Sequence, residues 1–276
     1  MNAREPATRL RQVTLANGLT LECAERGEPG GVPVLLLHGI TDSWRSFEPV
    51  LPWLPGHWHT IAVSQRGHGG SARPAGGFGT RDFAADAAAL IEALELPPVV
   101  VVGHSMGAAV ALRLAIDRPE LVRGVVAAGG FASFSDKAEL VAFIGSMLAL
   151  GDTVPREVAE RFQRDTLAGP VADGLIETMV DECLRTPAAV WRAAFAGLLE
   201  DDFSAELGRV RVPVLLTWGD ADAFAPEADQ QRLARELQLA TRRVYPGVGH
   251  ALHWERPERF ALDLVRFVGG LAAGTS

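Results

Sequence analysis

Residues 98–118, PVVVVGHSMGAAVALRLAIDR, constrain this chain more than any other stretch. Four consecutive valines favour an extended strand, and an unbroken apolar run is what a strand covered on both faces requires. An Ala/Leu-rich helical run follows at once. Gly103-His104-Ser105-Met106-Gly107 is left to make the reversal, which puts Ser105 on a sharp strand-to-helix turn. Such a turn forces the serine out of ordinary backbone space, and glycines two positions to either side remove the Cβ atoms that would collide. The hydroxyl then stands clear of the sheet at a helix N-terminus, where the macrodipole favours developing negative charge. A serine that merely caps a helix also satisfies the five-residue pattern, but it does not need this context.

The rest of the chain repeats the alternation. Residues 10–13 and 19–24 flank Asn17-Gly18, a hairpin-turn pair. Further strand-like runs cover 34–37, 60–63, 99–102, 122–128, 214–218 and, more weakly, 241–245. Helical runs fall between them at 81–94, 106–117, 228–237 and 257–268. This is the pattern of an α/β protein, a mostly parallel sheet covered by helices, here opened by an antiparallel hairpin. One region breaks the rhythm: from residue 131 to 203 there is helical patterning punctuated by Pro155, Gly169-Pro170 and Pro187, with no strand signal. The expected division is a core over 1–130, an inserted helical lid over 131–205, and the remainder of the core over 206–276. Leu175, Met179 and Cys183 form one stripe in the insertion, and Trp191, Phe195 and Leu199 another. These stripes pack the small subdomain together and give it an apolar inner side.

Composition narrows the partners. The net charge is −8 with no basic run, which argues against nucleic acid and anionic membranes. The first residues, Met1-Asn2-Ala3-Arg4-Glu5-Pro6, open no apolar stretch of export-signal type, and no run approaches the roughly 18–20 residues of a membrane span. Cys23 and Cys183 lie far apart without Cys or His neighbours, so both read as ordinary reduced thiols. A cytoplasmic protein without metal or other cofactor is the expectation, its oligomeric state left open.

At this point the chain resembles the α/β-hydrolase superfamily, in particular its lidded serine hydrolases, from about Val13 to Val268. His38-Gly39 follows a buried strand as the oxyanion-loop motif does. Gln65-Arg66-Gly67-His68-Gly69-Gly70-Ser71 resembles the family's Arg-Gly-x-Gly-x-Ser loop, Gly103 to Gly107 the nucleophile turn, and Val248-Gly249-His250 with Glu255-Arg256-Pro257-Glu258 the last motif. The resemblance implies an eight-stranded sheet and a triad in the order serine, acid, histidine. Ser105 is its nucleophile. Of seven histidines, His250 matches the base, with His253 three residues on. The loop Gly219-Asp220-Ala221-Asp222-Ala223-Phe224-Ala225-Pro226 fits the family's Gly-x-x-Asp and selects Asp222 over its neighbour Asp220; Asp201-Asp202 more naturally anchors the end of the lid. The backbone amides of Ile40 and Met106 are the expected oxyanion donors. The pocket is expected from Trp44, Phe131, Met147, Met179, Trp191, Phe224 and Leu252.

Residue identities then separate branches of the superfamily. Epoxide hydrolases and haloalkane dehalogenases place a carboxylate where Ser105 stands, and epoxide opening also uses lid tyrosines, whereas the single Tyr245 lies outside the lid. Hydroxynitrile lyases carry lysine directly after the histidine; here it is Ala251, and Lys137, the single lysine, lies at the start of the lid. Three readings follow: hydrolysis of a carboxylic ester or lactone of a small to medium apolar compound; carbon–carbon hydrolysis of aromatic ring-cleavage products, with Trp254 and Arg192 in the family's roles; or a triad-bearing sensor of small ligands. Ala251, and the lack of a longer Gly-rich oxyanion loop, depart from the carbon–carbon hydrolases. Six of twelve phenylalanines fall between 131 and 203, which favours an apolar acyl or aromatic substrate.

Overall fold

The computed structural model describes residues 7–135 and 137–273. Residues 1–6, read above as carrying no export signal, lie outside the described residues. The chain opens with the hairpin β1 (Arg9–Thr14) and β2 (Thr20–Gly27). Its turn follows from Asn17-Gly18: Gly18 takes φ +84°, and Asn17 Oδ1 accepts from the Leu19 amide at 3.0 Å. There follow β3 (Val32–Leu37), β4 (Trp58–Val63), α1 (Thr80–Ala93), β5 (Val99–His104), α2 (Met106–Asp117) and β6 (Val122–Ala128). Next come four helices, α3 (Ala138–Leu148), α4 (Arg156–Asp165), α5 (Leu175–Arg185) and α6 (Ala188–Glu200). The chain then returns through β7 (Val214–Gly219), α7 (Glu227–Glu236), β8 (Ala240–Tyr245), α8 (Leu252–Glu255) and α9 (Pro257–Ala273).

Among the described residues the strands form one eight-stranded sheet in the order β1-β2-β4-β3-β5-β6-β7-β8. β2 pairs antiparallel with β1 and β4, and every other pairing is parallel. The valine run explains why β5 lies inside. Val99 and Val101 point into the core shared with Leu90 and Ile91 of α1 and Leu112 of α2. Val100 and Val102 point the other way, against Phe260, Leu264 and Val268 of α9. Each buried valine contributes about 1.5–3 kcal/mol, so the strand is held from both faces.

The segment between β6 and β7 leaves the sheet and comes back at one neck. Ser133 bridges Asp202, and the Phe203 amide donates to Ala132 O at 3.2 Å. Asp201 fastens this neck to the core, its Oδ2 accepting from the amide of Thr80, the first residue of α1, at 2.8 Å. Within the segment, fully buried Trp191 donates its indole N–H to Cys183 O at 3.2 Å and so ties α6 to α5. Cys23 and Cys183 are both buried free thiols.

Candidate active site

β5 ends at His104 and delivers Ser105 to the C-terminal end of the parallel strands, and α2 leaves from it. Ser105 adopts φ 54° and ψ −118°, a conformation that costs a non-glycine residue on the order of 1–3 kcal/mol. The flanking glycines are required by contact distance. A Cβ on Gly103 would lie 2.0 Å from Gly107 O, and one on Gly107 would lie 2.1 Å from Leu37 O. The Ser105 amide is anchored by donating to Ala128 O of β6 at 2.9 Å.

The loops after β7 and β8 meet beside it. His250 Nδ1–H donates to Asp222 Oδ2 at 2.8 Å, both side chains being buried. The second oxygen, Asp222 Oδ1, accepts from the amides of Phe224 at 2.8 Å and Ala225 at 2.9 Å. Backbone donors therefore fix the carboxylate before it meets the imidazole. Asp220 does different work: its Oδ1 accepts from the Gly247 amide at 2.6 Å and joins the two loops near solvent. Glu255 is not among the expected site residues, although it stands in the last motif. Its Oε1 accepts from the Gly249 amide at 2.9 Å and from the Ala168 amide at 3.0 Å, clamping the His250 loop to the inserted helices.

Histidines 38 and 68 hold the loop that follows β3. The Gln65 amide donates to His38 Nε2 at 2.9 Å, which places the His38 proton on Nδ1, where it meets Gly39 O at 2.7 Å. The Thr41 amide likewise donates to His68 Nε2 at 3.2 Å, and His68 Nδ1–H meets Arg66 O at 2.8 Å. Burial keeps both rings neutral, pushing His68 down to about 4 and His38 well below the usual imidazole range. Thr41, with φ 70°, is thereby held in the left-handed region beside Ile40. His253, held by a bond of 3.1 Å between its Nε2 and Ser46 Oγ, does not reach Asp222 among the described contacts. It packs against His104, ring centroids 4.4 Å apart, and His104 Nε2–H donates to His250 O at 3.1 Å.

Ser105 and His250 line a narrow cavity of about 40 Å³, together with Gly39, Ile40, Asp42, His104, Phe134, Leu140, Phe143, Ile144, Phe162, Gln163, Thr166, Phe195, Leu198, Phe224 and Trp254. Of the side chains expected to form the pocket, Phe224 lines it and the others pack elsewhere. Phe131 stacks behind Phe134, centroids 3.7 Å apart. Trp191 supports Phe162 and Phe195 from behind, at 5.7 and 6.1 Å. Met147 lies in the core one turn beyond Phe143 and Ile144, and Met179 packs behind Trp254 with Leu175 and Ala251. Trp44 and Leu252 belong to the core on the opposite face of the sheet. Met106 is fully buried at the start of α2, leaving its amide as the group of interest. Arg192 also lies away from the cavity, donating to the carbonyls of Leu150 and Gly151.

A shallower cleft of about 570 Å³ meets this cavity at Leu140, Phe143 and Phe224, and Lys137, Glu139 and Asp165 stand at its margin. Among the described residues, no cluster of three His, Cys, Asp or Glu is arranged to hold a metal ion, and no helix is long and apolar enough to cross a membrane.

A strained serine at a strand-to-helix turn on a mostly parallel sheet, with a histidine–aspartate pair from the following loops, defines a hydrolase fold. The family model described as the alpha/beta hydrolase family matches residues 34–264, and the chain belongs to that family. Its relatives are varied. It is 32% identical over 285 residues to a non-heme chloroperoxidase of Streptomyces lividans, spanning 93% of this chain and 98% of the relative. It is 30% identical over 272 residues to a 2-(acetamidomethylene)succinate hydrolase of Mesorhizobium japonicum, spanning 91% and 92%. Among solved structures, an esterase from Exiguobacterium antarcticum superposes with a TM-score of 0.85 at 22% identity, covering 94% of this chain and 98% of that one, a likeness of fold.

Proposed function

We propose that this protein hydrolyses an uncharged carboxylic ester or lactone through an acyl-enzyme on Ser105. The observation that carries the reading is the meeting of three features at one cavity: a serine in strained backbone geometry, His250 bonded to buried Asp222, and walls that are aromatic and aliphatic. In this reading Ser105 Oγ attacks the acyl carbonyl and gives its proton to His250 Nε2. Asp222 holds the imidazole in the Nδ1–H tautomer and stabilises the imidazolium. The amides of Ile40 and Met106 receive the oxyanion, each worth about 3 kcal/mol in related chemistry. His250 then protonates the departing alcohol, and water attacks the acyl-enzyme with His250 as base. The inserted helices serve as a lid. At about 40 Å³ the cavity holds a few water-sized groups, so a larger acyl chain has to displace Phe143 or Leu140 toward the outer cleft.

The carbon–carbon reading draws less support, because Arg192 is committed to backbone carbonyls away from the cavity while Trp254 is retained. The test is a panel of p-nitrophenyl acetate, butyrate and octanoate, simple lactones and a coloured dienoate, run with fluorophosphonate labelling. Turnover of butyrate above octanoate is expected, with Ser105→Ala reducing it by about 10⁴-fold or more. Equal turnover by Ser105→Ala, or turnover of the dienoate alone, overturns the reading. Absence of both turnover and labelling favours a ligand sensor.

A further inference from the structure

Asp42 is 3% exposed and lines the same cavity as Ser105. No mechanistic step above uses it. A buried carboxyl with no Arg or Lys beside it is costly to desolvate. Here the cost shows in the carboxyl itself, which burial, helped by the Glu182 charge, pushes up to about 7 against the opposing pull of two hydrogen bonds and of His250. Those bonds fix its position. Gln163 Nε2–H donates to Oδ1 at 2.8 Å, and Ser46 Oγ–H donates to Oδ2 at 3.0 Å.

The donors are themselves held. Gln163 Nε2 also contacts Cys183 Sγ at 2.7 Å, and because Ser46 gives its proton to Asp42, His253 Nε2–H must donate to Ser46 Oγ, 3.1 Å away. In the ionised form, which prevails above about pH 7, each carboxyl oxygen still has acceptor capacity after one bond. The other walls include Phe143, Phe162 and Phe195, and the residues lining the cavity include no Arg or Lys. A held acceptor with spare capacity therefore stands in an apolar cavity of about 40 Å³, so a group touching both Asp42 and Ser105 spans only a few atoms.

We propose that Asp42 is a specificity-determining acceptor for a hydroxyl or amide N–H that the substrate carries within a few atoms of its ester carbonyl. The inference rests on the acyl-transfer reading of the site and deepens it. It selects uncharged esters or lactones bearing such a donor and disfavours substrates with a free carboxylate, which would be buried beside Asp42 without a cation.

The test, run at about pH 8, compares p-nitrophenyl butyrate, both enantiomers of p-nitrophenyl 3-hydroxybutyrate, and p-nitrophenyl hemisuccinate, each corrected for its enzyme-free rate, which for the hemisuccinate includes attack by its own carboxylate. Wild type is expected to favour one hydroxy ester over butyrate by about ten-fold in kcat/KM. Asp42→Leu is expected to bring that ratio near one and to raise hemisuccinate relative to butyrate. Asp42→Asn, which keeps the shape and one acceptor, is expected to retain part of the preference, and it decides the matter if the leucine variant does not fold. Ratios near one in wild type, or unchanged in the variants while Ser105 still labels and butyrate is still cleaved, overturn the subsite alone. Loss of labelling and of all turnover in wild type overturns the ester reading and the subsite with it.

Discussion

Asp222 divides its oxygens between two tasks, and that division makes its replacement informative. Oδ1 is committed to the amides of Phe224 and Ala225, and Oδ2 to His250. An asparagine has one acceptor oxygen for both tasks. The two backbone donors hold that oxygen, which turns the side-chain NH₂ toward His250 and forces the ring to accept at Nδ1. The proton then sits on Nε2, where the proposed base needs a lone pair. Asp222→Asn is therefore expected to lower kcat on an ester by about 10³–10⁴-fold with little change in KM or melting temperature. Steady-state kinetics beside a thermal melt check this, and wild-type kcat would remove Asp222 from the mechanism. Ser105, Asp222 and His250 were legible because each follows the end of a strand with a short local signature. Asp42 and Glu255 were not, since their environments are made by residues far along the chain: Gln163 for one, Ala168 for the other.

At the scale of elements, the loop that follows β4 is fastened to α1 by one buried ion pair. Arg66 meets Asp86 through two bonds, Nε to Oδ2 and Nη2 to Oδ1, both 2.6 Å, and also donates to Gly77 O at 2.8 Å. Asn17 of the hairpin turn joins the same carboxylate at 3.1 Å. Removing the cation leaves Asp86 charged and buried, so Arg66→Met is expected to destabilise the fold by about 3–5 kcal/mol. Arg66→Met with Asp86→Leu is expected to recover a large part of that loss. Urea unfolding of the single and double variants checks both, and a double variant no more stable than Arg66→Met would show that the pair is not what holds the loop. Periodicity served the sheet better than it served the pocket. The runs at 34–37 and 99–102 could be read because a strand covered on both faces is apolar at every position. The inner face of the inserted helices could not be read that way. Trp191 and Phe195 share one stripe on α6, yet Phe195 reaches the cavity and Trp191 supports it from behind. Which residue of a stripe comes forward is set by how the helix is tilted, and composition carries no record of tilt.

For the whole molecule, the buried histidines set how it responds to acid. His38, His68, His104 and His253 are all held neutral mainly by burial, with His68 pushed down to about 4, His253 to about 3, and the other two well below the usual range. In the unfolded chain each titrates near 6.5, so below that pH unfolding takes up protons the native state refuses. Their contribution is fully present above pH 6.5 and is lost as pH falls toward 4 and 3. Asp42 acts in the opposite sense: a raised acid holds its proton when folded, so its cost grows as pH rises from about 4 to about 7. Four histidines outweigh one such carboxyl, so unfolding takes up protons on balance below about pH 6.5 and stability falls as the pH is lowered toward 4. Urea titrations at pH 7.5, 6.5, 5.5 and 4.5 should therefore show a steep fall in stability with the m-value unchanged, and His253→Asn should flatten the slope by about one proton. Equal stability at pH 7.5 and pH 5.5 would mean that these rings accept protons in the native state. The histidines that splint the Ile40 loop would then be open to solvent, and that loop would not be the rigid support on which the oxyanion assignment depends.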